Sequence, residues 1–372
     1  MAEGTIPPFR ADHVGSLLRS PHLRAARAGR EAGNISVEAL RRVEDEAIRE
    51  AVRRQEELGL QLATDGELRR AWYHLDFLQG FSNVATQRAS IPAKFQTAKG
   101  DLELQPFSTR VVGKLARPPR GIVVDDFKFL KSVTHVTPKT TIPSPSAMHF
   151  RGGRKAVDVM AYPEIEEFYD DLARVFAEEV RELGAAGCRY LQLDEVSLAY
   201  LCDPSLQEQV RKSGEDPTEL PETYAKLINA TLAQKHPDMV VCMHLCRGNY
   251  RSGWVAEGGY EPIADMLFNE IAMDGYFLEY DSDRAGSFEP LRFVPKGKTV
   301  VLGLITSKSA KLEDKDDIKR RIDQAAKFIP LEQLALSPQC GFASAIEGNA
   351  LTAEEQYAKL RLAVEIAKDV WG

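Results

Sequence analysis

Absences narrow the reading of this chain first. No apolar run among its 372 residues is long enough to cross a bilayer, so a membrane-spanning helix is excluded and no membrane partner is expected. The opening stretch "MAEGTIPPFRADH" lacks the basic segment and apolar core of a secretory leader, and a cytoplasmic location is expected. There is no basic excess: the formal net charge is −7 and the Lys and Arg residues are scattered, which argues against a dedicated nucleic-acid binder. Cysteine is scarce and odd in number, with five residues (Cys188, Cys202, Cys242, Cys246 and Cys340) in hydrophobic contexts. That pattern excludes a disulfide framework and leaves free thiols or metal ligands. Internal repeats and low-complexity linkers are missing too, so residues 1–372 are expected to form a single domain.

What remains is a globular composition, 44% hydrophobic and 28% charged. Eight β-like runs fall near 11–17, 59–67, 132–142, 188–195, 239–246, 275–282, 299–306 and 333–340. Between them lie helix-like stretches such as "RRVEDEAIREAVRRQEEL", "PEIEEFYDDLARVFAEEVREL" and "DKDDIKRRIDQAAKFI". A last helix opens near "LTAEEQYAKL", where Thr352 and Glu355 have the spacing of a capping box. Near-continuous apolar strands alternating with helices imply a parallel sheet, and eight such units favour an α/β fold closed as a (β/α)₈ TIM barrel. An open doubly wound sheet shares much of that signal. Residues 72–131 break the rhythm and read as an insertion after the second strand, containing a hairpin.

In such a barrel the chemistry gathers at the carboxyl ends of the strands. The fifth run, in "VVCMHLCRGNY", ends in His244 and Cys246, whose i, i+2 spacing puts both side chains on one face. Cys242 shares that parity but lies deeper and reads as barrel lining, and Gly248 offers a turn. The sixth run ends in "LEYDSDR" with Glu279, and the eighth in "SPQCG" with Cys340. A single strand cysteine is more often a small buried apolar group than a ligand. His, Cys, Glu and Cys arriving together from three strand ends instead make a tetrahedral donor set suited to Zn²⁺. Further strand ends carry Asp65 and Glu67 ("TDGEL") and Asp194 and Glu195 ("LQLDEV"), acids that bind cations, accept an ammonium or move protons. For Asp65 and Glu195 a salt bridge to a neighbouring loop competes with these roles. Ser16, after Gly15 in "HVGSL", suits close approach to a small anion.

These residues together resemble the cobalamin-independent methionine synthase family, in its catalytic C-terminal barrel. The resemblance runs from "DHVGSLLR" through "TDGELRR", "YLQLDE", "MHLCRGN" and "FLEYDSD" to "SPQCGF". The same superfamily includes uroporphyrinogen decarboxylase, which shares the barrel without the zinc site. The resemblance implies zinc held by His244, Cys246, Glu279 and Cys340, with homocysteine as the thiol. It implies a grip on the substrate carboxylate at Ser16 and on its amino group at Glu67 and Asp194, Asp194 also being a catalytic candidate. Where the long enzymes carry a catalytic His after the seventh strand, this chain reads "GLITSKSAKLED", with Lys308 near that place. Lys308 is therefore the second catalytic candidate, against the plainer reading of a surface lysine on a loop. The expected activity is methyl transfer to homocysteine, with methyltetrahydrofolate, a methylated corrinoid or another activated alkyl group such as an epoxide as donor. A metal-dependent hydrolase, a metal-free decarboxylase and a sulfur amino-acid binder are the competing readings. A homo-oligomer is compatible with all of them.

Overall fold

The computed structural model describes residues 6–88, 93–97 and 100–372. The first five residues of the opening stretch, and 89–92 and 98–99 of the insertion, lie outside the described residues. The strands are β1 (Leu62–Ala63), β2 (Ser82–Arg88), β3 (Ala93–Thr97), β4 (Gly100–Leu104), β5 (Phe107–Ala116), β6 (Thr137–Pro143), β7 (Tyr190–Glu195), β8 (Val240–Leu245), β9 (Gly275–Glu279), β10 (Thr299–Ile305) and β11 (Leu334–Pro338). Seven of them form one curled parallel sheet in the order β1-β6-β7-β8-β9-β10-β11. The architecture is that of a TIM barrel. Its strands are buried on both faces because helices such as Val37–Glu57, Ile165–Ala185, Lys315–Ala325 and Ala353–Trp371 cover the outside. The final helix starts where expected, with the Thr352–Glu355 capping box formed on both sides.

The eighth position departs from a regular strand. Of the run 11–17, only Ala11 makes a bridge, parallel to Leu336. Side chains hold the rest of the segment in place. Lys139 Nζ, fully buried, donates to Asp12 Oδ1 (2.9 Å) and to the His13 carbonyl (2.6 Å), and Tyr190 OH donates to Asp12 Oδ2 (2.7 Å). Removing one partner of such a buried ion pair typically costs about 3–5 kcal/mol. On the other side, Thr64 Oγ1 donates to the Gly15 carbonyl (2.8 Å) and Leu17 N to the Gly66 carbonyl (2.9 Å). The second expected strand is likewise short, only Leu62–Ala63. Cys242 packs inside the barrel with Phe9, Val14, Leu62, Phe277 and Val301.

Two antiparallel pairs, β2 with β5 and β3 with β4, lie between β1 and β6. Gln96 of β3 pairs with Trp254, its N donating to the Trp254 carbonyl (2.8 Å) and its carbonyl accepting from Trp254 N (3.0 Å). The insertion is thereby stitched to the loop that follows β8. Among the described residues no helix is long and apolar enough to cross a membrane.

Candidate metal centre and active site

β8 carries His244, and Cys246 follows one residue beyond its end; β9 finishes on Glu279; Cys340 lies two residues past β11. Their ligand atoms all lie within 4.8 Å of one another, and all four side chains are buried. The two sulfurs are 3.5 Å apart. That is far beyond the ~2.05 Å of a disulfide, and near the ~3.8 Å that two Zn–S bonds of about 2.3 Å span at a tetrahedral angle. Neither ring nitrogen of His244 makes a hydrogen bond of acceptable geometry, although Cys340 lies close enough to couple electrostatically. A buried imidazole without a partner is unfavourable, and a cation held among these donors removes that penalty. The residues present fit zinc.

The surroundings prepare the donors. Glu279 Oε1 accepts from Arg247 N (2.8 Å), and Oε2 from Gln339 Nε2 (3.3 Å) and Arg284 Nη2 (3.4 Å). Burial works to raise the Glu279 carboxyl, but Lys308, Arg284 and His244 together hold it below its ordinary value. The sulfur–sulfur hydrogen bond pushes Cys246 up and Cys340 well down, so Cys340 is the first of the pair to ionise. Gly248 turns the chain away with φ +92°, where an added Cβ would meet Val255 Cγ2 at 2.9 Å.

The expected substrate-side residues flank this cluster. Asp194 pairs in register with His244 across β7 and β8. Its carboxyl is raised to about 7 by burial, then by the Glu67 charge, although Gln192 Nε2 donates to Oδ1 (2.6 Å). Glu67 sits in the left-handed region (φ +55°), turned inward by the Asp65 side chain, which accepts from Glu67 N (2.8 Å). Thr141 Oγ1 donates to Glu67 Oε1 (3.0 Å), whereas Oε2 is buried without a partner, and burial raises this carboxyl too. Two buried acids that repel each other, one with an open oxygen, gain from a cation placed between them. Ser16 lies against the other side of the site: its Oγ accepts from Ala343 N (3.3 Å), and a Cβ on Gly341 would stand 2.0 Å from that oxygen.

The remaining candidates separate. Asp65 shapes the turn, and Glu195 accepts from Ser146 Oγ (2.6 Å) and Leu198 N (3.0 Å); among the described residues neither makes an ion pair. Lys308 is half-buried, and its Nζ donates to the Gly248 carbonyl (3.2 Å), Asn249 Oδ1 (3.1 Å) and the Gly253 carbonyl (3.3 Å). It clamps the loop after β8 beside Cys246.

The cobalamin-independent synthase catalytic-domain model matches residues 9–369. The chain belongs to the cobalamin-independent methionine synthase family. Within and around that family it is similar to the Bacillus subtilis protein YxjH, whose function is uncharacterised, at 46% identity over 98% of this chain and 95% of the relative. A candidate vitamin B12-independent methionine synthase from Listeria monocytogenes superposes with a TM-score of 0.77 at 37% identity, over 99% of both chains. A methionine synthase of Saccharolobus solfataricus is 25% identical over 90% of this chain and 89% of the relative.

For this member of the family, several residues around the site carry no strand-end signal. Arg19 Nη2 donates to the carbonyls of Glu67 and Arg70 (both 2.9 Å), fixing the turn that presents Glu67. Arg70 Nη2 donates to the Thr141 carbonyl (2.5 Å). Arg70, five residues after the strand-end Asp65 in "TDGELRR", was the signal there to be read; Arg19, at the end of "GSLLR", meets Glu67 across 48 residues of sequence and left none.

Proposed function

We propose that this protein is a zinc-dependent thiol methyltransferase that methylates homocysteine to methionine, with a methylated folate as donor, in the cytoplasm. The observation that carries the proposal is the convergence of His244, Cys246, Glu279 and Cys340 within 4.8 Å. When bound among these residues, zinc supplies the positive charge that removes the proton from a substrate thiol, whose free pKa is about 8.5, and keeps the sulfur anionic at neutral pH. Cys246, Cys340 and Glu279 would place two thiolates and a carboxylate on that ion, a set better suited to holding an electron-rich sulfur than to activating water.

The protein's own groups then orient the substrate. Glu67 and Asp194 receive its ammonium, and Ser16, backed by Gly341, stands where a carboxylate is gripped. With both ends held, the sulfur has one direction of attack, and the entropy of alignment is met on binding. A sulfur–carbon bond forms, the methyl–donor bond breaks with its electron pair left on the donor, and the donor takes up a proton.

The test is zinc-edge X-ray absorption of purified protein with and without homocysteine. Gain of one sulfur neighbour on adding the thiol is the expected result. Loss of zinc in Cys246→Ser and Cys340→Ser is expected alongside it. An unchanged shell, or full zinc content in both variants, refutes the proposal.

A further inference from the structure

Arg247, the residue after Cys246, is the largest fully buried side chain among the described residues, at 0% exposure. Its backbone is engaged: the amide donates to Glu279 Oε1 (2.8 Å), and the carbonyl accepts from Val255 N (2.9 Å) and Ala256 N (3.0 Å). Its guanidinium is not. None of the three nitrogens makes a hydrogen bond of acceptable geometry, and among the described residues Arg247 forms no ion pair. On the open side of Cys246 the rings of Trp72, Phe95 and Tyr250 form a wall, and Arg247 takes no part in lining it. The guanidinium carbon lies instead over Tyr260, 4.4 Å from the ring centre. The Tyr260 hydroxyl accepts from Glu279 N (3.0 Å), which ties that ring to the strand end bearing Glu279. Cys202, the thiol on this side, donates to the Leu198 carbonyl (3.5 Å).

An arginine stays charged in a protein, and a charge buried without a partner is costly unless other charges offset it. A stack on one aromatic ring stabilises less than the desolvation of a guanidinium costs. Burial opposes the Arg247 charge, while Tyr260, Glu279 and Cys202 favour it. The neighbouring cluster supplies the missing half of this balance. Cys246, Cys340 and Glu279 as anions would outweigh a divalent ion by one negative charge, and an anionic substrate sulfur would add a second. Lys308 and Arg284 also act on Glu279. Lys308 is only half-buried, so water screens it, and Arg284 is committed to Asp281 (2.5 Å). Arg247 is the dry cation with no acid of its own.

We propose that Arg247 is the counter-charge of the substrate sulfur: its buried guanidinium offsets, through space, the negative charge that arrives when a thiol joins the cluster as an anion. It acts through the field rather than by contact, as a positioning residue and not a catalytic one. The inference rests on the reading of the cluster as a zinc site that binds a thiol.

Its test compares homocysteine with methionine on zinc-loaded protein by titration calorimetry. The two share an amino-acid end, and only homocysteine has a sulfur that can ionise. Arg247→Met is expected to weaken homocysteine at least tenfold at pH 7 and to leave methionine within about twofold of wild type. The pH at which homocysteine binding is half-maximal should rise by about one unit, the equivalent of a tenfold loss. Arg247→Lys, which keeps the charge, should recover most of both effects. Arg247→Met should fold, because an apolar chain of similar length replaces a buried, unpaired charge; if it does not, Arg247→Gln carries the same comparison. Equal loss of both ligands marks a structural role and overturns the proposal. So does an unchanged pH midpoint, or an Arg247→Lys variant that recovers nothing. If methionine binds neither protein, the pH midpoint decides alone. The sulfur gained at the zinc edge on adding homocysteine separates the two levels. If wild type gains it while the variants fail these comparisons, the role of Arg247 alone is wrong; if wild type does not gain it, the thiol reading itself fails.

Discussion

Asp194→Asn should make the empty protein more stable at alkaline pH while weakening its hold on the substrate. Asp194 is 5% exposed and faces the charge of Glu67; burial and that charge raise its carboxyl from 3.8 to about 7. An acid whose pKa is raised by folding binds its proton more tightly in the native state, so stability falls as pH climbs from about 4 through 7. Roughly three pKa units at about 1.36 kcal/mol each set an upper bound of about 4 kcal/mol on the penalty above pH 7. Unfolding entropy near 2.1 cal/mol/K per residue, over 372 residues, converts about 2–4 kcal/mol into a rise of about 3–5 °C. Calorimetry of chelator-treated protein at pH 8 and pH 5 is the assay. The advantage of the Asn variant should shrink by more than half at the lower pH, where the native wild-type carboxyl is protonated. Homocysteine affinity should fall at least tenfold, since a cation receptor has lost a charge. An Asn variant that melts at or below wild type at pH 8, or a gap independent of pH, would refute the reasoning.

Three further substitutions probe the supports of the cluster. Lys308→Met removes hydrogen bonds of 3.1–3.3 Å to the loop after β8; a loss of about 1–3 kcal/mol and faster surrender of zinc to a chelator are expected, measured by melting and by competition with a chromogenic chelator. Gly341→Ala places a methyl 2.0 Å from Ser16 Oγ, so the homocysteine KM should rise more than tenfold in steady-state assays with zinc content retained. Gly303→Ala puts a Cβ 2.7 Å from Gln339 Cα and 2.9 Å from the Leu278 carbonyl; zinc affinity in the same competition should fall, with about 1–3 kcal/mol of overpacking.

The strands from β6 to β11 were legible because a parallel strand buried on both faces is written as a continuous apolar run. "VVCMHL" and "TVVLGLI" need no context to be read. The first segment was misread as a regular strand for a reason of the same kind. Its position depends on Lys139, Asp12 and Tyr190, which meet across 127 and 178 residues of sequence, and no local pattern reports such contacts. The cluster of His244, Cys246, Glu279 and Cys340 was legible because these residue types complement one another at strand ends. Arg151 and His74, which line the cavity beside Cys246, carry no such signal, since they sit on a loop and at the start of a four-residue helix, where periodicity assigns no direction to a side chain. Lys308 could be placed but not interpreted, because two of its three acceptors are backbone carbonyls, which leave no trace in the sequence.

The division between strands and insertion carries a physical consequence. The ligand cluster is set by sheet register: Asp194 lies beside His244, His244 beside Phe277, and Glu279 beside Gly303. Pairing between β10 and β11 then shifts register between Gly303 and Ile305. The missing Cβ of Gly303 lets the chain after β11 close in, with Gln339 Cα 2.7 Å from where that Cβ would stand. That approach brings Gln339 Nε2 to Glu279 and Cys340 to Cys246. Such positions are fixed by ladder hydrogen bonds and tolerate little displacement, which suits a metal whose bond lengths vary by only a few tenths of an ångström. The wall above Cys246 instead hangs on the β3–Trp254 pairing and on ring contacts. Loops held by few contacts open at lower free energy than core strands. The cluster thus stands on a rigid floor of ladder-bonded strands, and the wall beside Cys246 is the part that moves at lower free energy.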